Sequence, residues 1–209
     1  MRALSDMTTL ILLNILTILC SVPIVTAGAA LTALNDSAMR MIDGEGNIVK
    51  KYFERFKSEI RQATPVWIVF LAIAAFLYVD TLIFGKPSED TGIAYGLIPV
   101  WALIFVAGCI FVWTWPLIAR IETGFAGSLA NAARLAVGAF PRTVVMVVIC
   151  GLCAFVFANE MRILPIAFLL GLSLPTYLCA LVYKPKIEAI IENMSGLKTD
   201  EEDNDEKED

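Results

Sequence analysis

The side chains best suited to chemistry are five cysteines, a few carboxylates near the ends of apolar runs, and a short series of amides and hydroxyls. Histidine is absent, which removes the commonest proton shuttle and metal ligand. Cys20, Cys109, Cys150, Cys153 and Cys179 all lie in apolar surroundings, where cysteine behaves as a small hydrophobe. Cys150 and Cys153 have the C-x-x-C spacing, but there is no second pair to complete a zinc site. Their flanks, Val147-Val148-Ile149 and Ala154-Phe155-Val156, are lipid-like. The chain has no G-x-x-x-x-G-K-[ST] phosphate loop. No catalytic residue, metal, cofactor or nucleic-acid partner is therefore expected, and an enzyme is the least supported class.

Ionisable groups deep in a span would mark a proton or ion path. Asp80 (beside Tyr78 and Thr81), Arg120, Glu122, Glu160 and Arg162 instead stand near the ends of apolar stretches. Snorkelling or interfacial pairing accounts for them, which disfavours a proton-coupled carrier. Asn14, Thr17, Ser21 and Thr26 make a polar seam in the first stretch. They are read as interhelical hydrogen-bonding groups, with a substrate groove as the alternative. Gly92 and Gly96 form a weak G-x-x-x-G signal.

These residues are set in a chain of 209, of which 58% are hydrophobic. A soluble domain is roughly 45–50% apolar, and the mean hydropathy here is +0.73. The expected fold is an all-α polytopic membrane protein with about five spans of ~20 residues each. The predicted spans are Thr8 to Leu34 (interrupted by Pro23), Val66 to Phe84, Leu97 to Ile118, Thr143 to Ala158, and Ile163 to Val182. The first is expected to persist as a membrane segment, since its leading region has little positive charge and its apolar run is long for a cleaved leader. Trp67, Trp101, Trp113 and Trp115 fall near span ends, as interfacial tryptophans do. Pro116 and Pro175 are expected to kink or end helices.

The net charge of −5 reflects one end of the chain. Residues 200–209 hold eight acids and one lysine, a net of −7, so the remainder is +2. Residues 191–209 are expected to be a solvated, disordered tail following the five-helix region, residues 1–190.

Basic residues orient the spans. The first loop carries Arg40, Lys50, Lys51, Arg55, Lys57 and Arg61, the third Arg120, Arg134 and Arg142, and the C-terminal segment Lys184, Lys186, Lys198 and Lys207. Lys86, Arg162 and Arg2 fall on the other side, giving 13 positive charges against 3. The expected topology has the N-terminus outside and the C-terminus inside.

Two cytoplasmic stretches have helical periodicity. Ile48, Tyr52, Phe56 and Ile60, widened by Val49 and Phe53, form an apolar stripe with Lys50, Lys51, Arg55, Lys57 and Arg61 mostly off it. Phe125, Leu129, Ala132 or Ala133, Ala136 and Phe140 form a weaker second stripe near Arg134 and Arg142. One reading is a pair of interfacial helices on anionic lipid. The other is a docking surface made by Lys50, Lys51, Tyr52, Phe53, Arg55, Phe56, Lys57, Arg61, Arg134 and Arg142. Asn131-Ala132-Ala133 with Gly138 only partly matches the loop by which importer permeases engage their ATPase. Its first residue is Asn, its glycine comes one position late, and no Ile-x-Leu-Pro follows.

Leu12-Leu13-Asn14 and the run Leu19-Cys20-Ser21-Val22-Pro23-Ile24-Val25-Thr26-Ala27-Gly28-Ala29-Ala30-Leu31-Thr32-Ala33-Leu34 resemble the opening signature of the YesL-like family of bacterial membrane proteins. Phe53 to Thr64 resembles that family's basic segment, and Asn131-Ala132 with Phe140-Pro141-Arg142-Thr143 resembles its third loop. The N-terminus is shorter than the family pattern, and the acidic tail lies outside it. The resemblance implies a five-helix protein of the bacterial cytoplasmic membrane with no assigned enzymatic activity. It also implies an accessory role beside a carbohydrate ABC importer, in contact with lipid and with permease or ATPase subunits. A small-solute carrier or channel acting alone, and a membrane-embedded regulator of sugar utilisation, are the alternatives.

Overall fold

The computed structural model describes residues 2–84, 97–121, 124–159 and 169–208. Lys86, the Gly92–Gly96 pair, Glu122 and the Glu160–Arg162 turn lie outside them. The described residues form helices only: α1 (Arg2–Cys20), α2 (Ala27–Ile42), α3 (Ile48–Phe84), α4 (Leu97–Ile118), α5 (Gly124–Gly138), α6 (Phe140–Asn159) and α7 (Ser173–Glu208), with one 3-10 turn at Ile24–Thr26.

The stretch expected as a first span is two helices folded back on each other. Pro23 has no N–H to donate and disfavours helical geometry at Val22, so α1 stops at Cys20. The Thr26 hydroxyl donates to the carbonyl oxygens of Cys20 (2.6 Å) and Pro23 (2.8 Å), satisfying groups the broken helix leaves open. α2 then returns along α1, and Leu13 packs in one cluster with Ala33 and Leu34.

α2 is the centre of the molecule. Every residue from Ala27 to Met39 is buried except half-buried Leu31. Its run of small side chains lets neighbours approach closely, the mode of association available where no hydrophobic force separates helix from lipid. Gly28 is the tightest point: a Cβ there would stand 2.7 Å from Trp67 Cβ and 2.8 Å from the Ala63 carbonyl oxygen. Trp67 Nε1–H donates to the Ile24 carbonyl at 2.7 Å. The reversal into α3 uses Gly44 at φ 72° and Asn47 at φ 56°, residue types that tolerate the left-handed region.

α3 runs unbroken for 37 residues through Pro65, about 55 Å at 1.5 Å per residue. The expected amphipathic helix and second span are thus one rod. Pro65 is accommodated where Ala63 and Val66 are buried against Ala29, Trp115 and Ile118. α4 returns along the outer half of α3 through Phe70–Phe111 (5.1 Å between ring centroids) and Trp67–Trp115 (5.8 Å). Pro116 sits in its last turn.

α5 and α6 meet at 101°. The corner is held by Trp113 Nε1–H donating to Thr143 Oγ1 (2.8 Å), whose hydroxyl lies 3.1 Å from the Ala136 carbonyl and 3.2 Å from that of Ala139. α7 packs on α2 and α6 through Cys179, Ala180, Tyr183 and Ile187, with Cys150 Sγ and Cys179 Sγ 3.7 Å apart. Pro175 occupies its first turn, where a missing N–H breaks no intrahelical bond. The segment 200–208 forms its last turns.

Among the described residues, two helices are long and apolar enough to cross a bilayer, Ile48–Ile83 and Leu97–Ile118; the bent pair of α5 and α6 makes a third if it counts as one crossing. Of the five expected spans, Thr8 to Leu34 divides at Pro23 into α1 and α2, and the start of Ile163 to Val182 lies outside the described residues. Replacing Gly28 by Ala forces α2 from α3 and should lower stability by about 2 kcal/mol. Gly138→Ala, with nothing within 4 Å of the added carbon, should leave thermal unfolding in detergent unchanged. Equal midpoints for the two variants would contradict this packing.

Candidate functional site

Where α2, α3, α4 and α7 converge, the structure gathers charge in two layers. The inner layer is built on Asp36, whose side chain is 1% exposed in the middle of α2. Arg40, one turn later, brings Nε to 2.6 Å from Asp36 Oδ2, and Arg120 brings Nε to 3.3 Å from Oδ1. A buried carboxylate needs such partners, because desolvation of an isolated charge is costly. Arg40 Nη1 also reaches Glu45 Oε2 at 3.0 Å, and Lys51 Nζ reaches the same oxygen at 2.6 Å. Lys184 of α7 pairs with Asp43 and lies 3.4 Å from Glu188.

Arg55 belongs to this layer too. Its Nη2 donates to the carbonyls of Ala119 (2.6 Å) and Ile118 (3.2 Å) and lies 3.1 Å from Glu59 Oε1. A guanidinium at a helix C-terminus satisfies open carbonyls and complements the negative end of the helix dipole. The basic half of α3 is thereby fastened to the end of α4.

The outer layer is the exposed side of the same helix. Lys50, Phe53, Lys57 and Arg61 are exposed, and the Lys50 side chain is 79% so. Lys50 makes a loose pair with Glu54 at 3.7 Å. Lys51 and Arg55 are half-buried in the pairs above, Tyr52 is fully buried, and Phe56 is half-buried and stacked on Tyr52. The expected docking set thus divides between a core face and a solvent face. Arg134 and Arg142 stand exposed at the α5–α6 corner. Beside the turn, a polar groove of about 860 Å³ is lined by Asp6, Thr9, Glu45, Asn47, Lys50 and Tyr177 among others.

The polar seam is dispersed among structural bonds. Asn14 Oδ1 accepts from the backbone N–H groups of Leu172 (2.8 Å) and Ser173 (3.0 Å), an N-terminal cap for α7 supplied by another helix. The Thr17 hydroxyl donates to the Leu13 carbonyl at 2.7 Å, Thr26 closes the Pro23 break, and Ser21 is half-buried at the end of α1. Asp80 is half-buried near the end of α3. Among the described residues, no group of three or more cysteines and carboxylates is placed to hold a metal ion.

Sequence reasoning missed Asp36, its bracket by Arg40 and Arg120, and the Tyr183 hydroxyl donating to Asn35 Oδ1 at 2.9 Å. One signal was available: Asp36 and Arg40 stand four apart on a helix otherwise rich in alanine. The Arg120 contact spans 84 positions and leaves no local pattern.

Residues 10–81, covering most of α1 and all of α2 and nearly all of α3, match the family described as "Protein of unknown function, DUF624". No curated protein and no solved structure matches the chain.

Two outcomes follow from the inner layer. Arg120→Gln should destabilise the protein by about 2 kcal/mol, because it leaves Asp36 undercompensated. Adding Asp36→Asn should recover part of that loss in detergent unfolding; strictly additive losses would refute the pairing. The Glu45 carboxyl is held below its ordinary value of 4.5 by hydrogen bonds from Lys51 and then Arg40. A depressed folded value gives stability that is present above the ordinary value and lost as pH falls below it. Acid titration of the unfolding midpoint should therefore show a loss in the wild type that Glu45→Gln reduces.

Proposed function

We propose that this chain is a non-enzymatic accessory subunit of a carbohydrate ABC importer in the bacterial cytoplasmic membrane, related to the YesL-like proteins. The observation that carries a docking role is the solvent face of α3. Lys50, Phe53, Lys57 and Arg61 line one side of a helix that continues directly into an apolar crossing segment. Arg55, Lys51 and Tyr52 on its other side fasten it to the rest of the molecule. Such a surface is rigid before it meets a partner, which lowers the ordering cost of binding. Its cations favour an acidic cytoplasmic face. The importer itself is inferred from the family resemblance.

The basic half of α3 lies on the cytoplasmic side in this reading, by the distribution of lysine and arginine. Asp6 and Thr9 share a groove with the α2–α3 turn, so the start of α1 belongs on that same side. In this reading the N-terminus lies inside, in place of the N-out arrangement expected from a single first crossing.

Purification of the tagged protein from native membranes in mild detergent tests the reading. Permease and ATPase subunits should accompany the wild type. Lys50→Glu/Lys57→Glu/Arg61→Glu should reduce their recovery at least tenfold, about 1.4 kcal/mol in affinity, while keeping the wild-type unfolding midpoint. Absence of transporter subunits from the wild-type eluate would defeat the assignment. Solute flux in liposomes containing this protein alone would favour a carrier instead.

A further inference from the structure

The α5–α6 corner combines charge and apolar surface in a way the docking face of α3 does not. Along α6, Val145, Val148, Leu152 and Phe155 are exposed, and their spacing puts them on one helix face. At the N-terminal end of α6 Phe140 is 55% exposed, and Val137 near the end of α5 is 78% exposed. Val137 is the most exposed large apolar side chain among the described residues. Arg134 and Arg142 stand exposed on either side of Val137 and Phe140 along the chain. From Gly124 to Asn159 the sequence contains no aspartate or glutamate. On α3, in contrast, Lys50 pairs with Glu54 and Arg55 with Glu59.

The angle supplies the second argument. If α6 stands along the bilayer normal, its 101° angle to α5 lays α5 along the membrane surface. The bond from Trp113 to Thr143 and the Thr143 contacts with Ala136 and Ala139 hold that angle. Val137 and Phe140 then stand where the apolar face of the crossing helix reaches the headgroups. Two guanidiniums at that level, with no carboxylate on either helix, lack a nearby counter-charge in the sequence. Guanidinium forks match phosphate oxygens in a bidentate geometry.

We propose that the α5–α6 corner is a binding site for anionic phospholipid. Arg134 and Arg142 receive the headgroup phosphate, and Val137 and Phe140 enter the adjoining acyl region. This assigns the two arginines to lipid rather than to the docking surface, and it stands whether or not the importer reading does. The exposed apolar face of α6 next to the two arginines is what favours a lipid over an acidic protein.

The test uses the purified full chain exposed to equal amounts of phosphatidylglycerol and phosphatidylcholine, with bound lipid counted by native mass spectrometry. The wild type should prefer phosphatidylglycerol. Arg134→Gln/Arg142→Gln should weaken that preference by up to about twenty-fivefold, the product of roughly fivefold per cation at an anionic surface. Arg134→Lys/Arg142→Lys should retain most of it. The wild-type preference should also fall as salt rises, a readout that needs no variant. Equal binding of the two lipids by the wild type, an unchanged preference in the glutamine variant, or insensitivity to salt would each overturn the proposal. So would loss of the preference in Lys50→Gln/Lys57→Gln/Arg61→Gln alone, since that would move the lipid site to α3.

Discussion

The approach of α2 to α3 at Gly28 is the constraint on which the other contacts depend. A helix can lie so close to the Ala63 carbonyl and the Trp67 side chain only where it has no Cβ. That closeness seats the Trp67 indole against the Ile24 carbonyl, and the reversal at Pro23 is thereby tied to the point where α3 becomes continuously apolar. It also puts the next turns of α2 within reach of α4 and α7. Asp36 then meets Arg120, and Asn35 meets Tyr183. With α2 further away, the buried carboxylate would lose a cation and the exposed half of α3 would lose its support.

Much of this architecture was legible in the chain. Hydropathy located α3 and α4, and the periodicities at Ile48–Ile60 and Phe125–Phe140 anticipated helices there. Two features escaped for physical reasons. A hydropathy average over Thr8 to Leu34 is the same whether the chain crosses once or folds back, and only the geometry at Pro23 distinguishes them. By pattern the amphipathic stretch and the span from Val66 are separate elements, yet α3 passes unbroken through Pro65, where burial of Ala63 and Val66 against α2 and α4 outweighs an interruption of about 3 kcal/mol.

The candidate site was legible in part for a related reason. Periodicity identifies the faces of a helix without saying which one is covered. The apolar stripe through Tyr52 and Phe56 proved to face the core, leaving Lys50, Phe53, Lys57 and Arg61 outside. Arg55 resembles its basic neighbours in sequence, yet its partners are carbonyls more than 60 residues away. Asn14 likewise could be recognised as a polar group in an apolar helix, but not as the cap of a helix that begins at Ser173.

The unbroken passage of α3 through Pro65 has a mechanical consequence. From Pro65 back to Ile48 the rod extends about 25 Å beyond its crossing segment. Tilting the rod by about 10° would displace its far end by about 4 Å, comparable to one side chain's width at that rise per residue. Because α2 is packed along that half and Arg55 clamps it to α4, the displacement carries the surrounding helices with it. A change in the tilt of the apolar half of α3 would therefore be felt at its charged end, together with the helices packed on it.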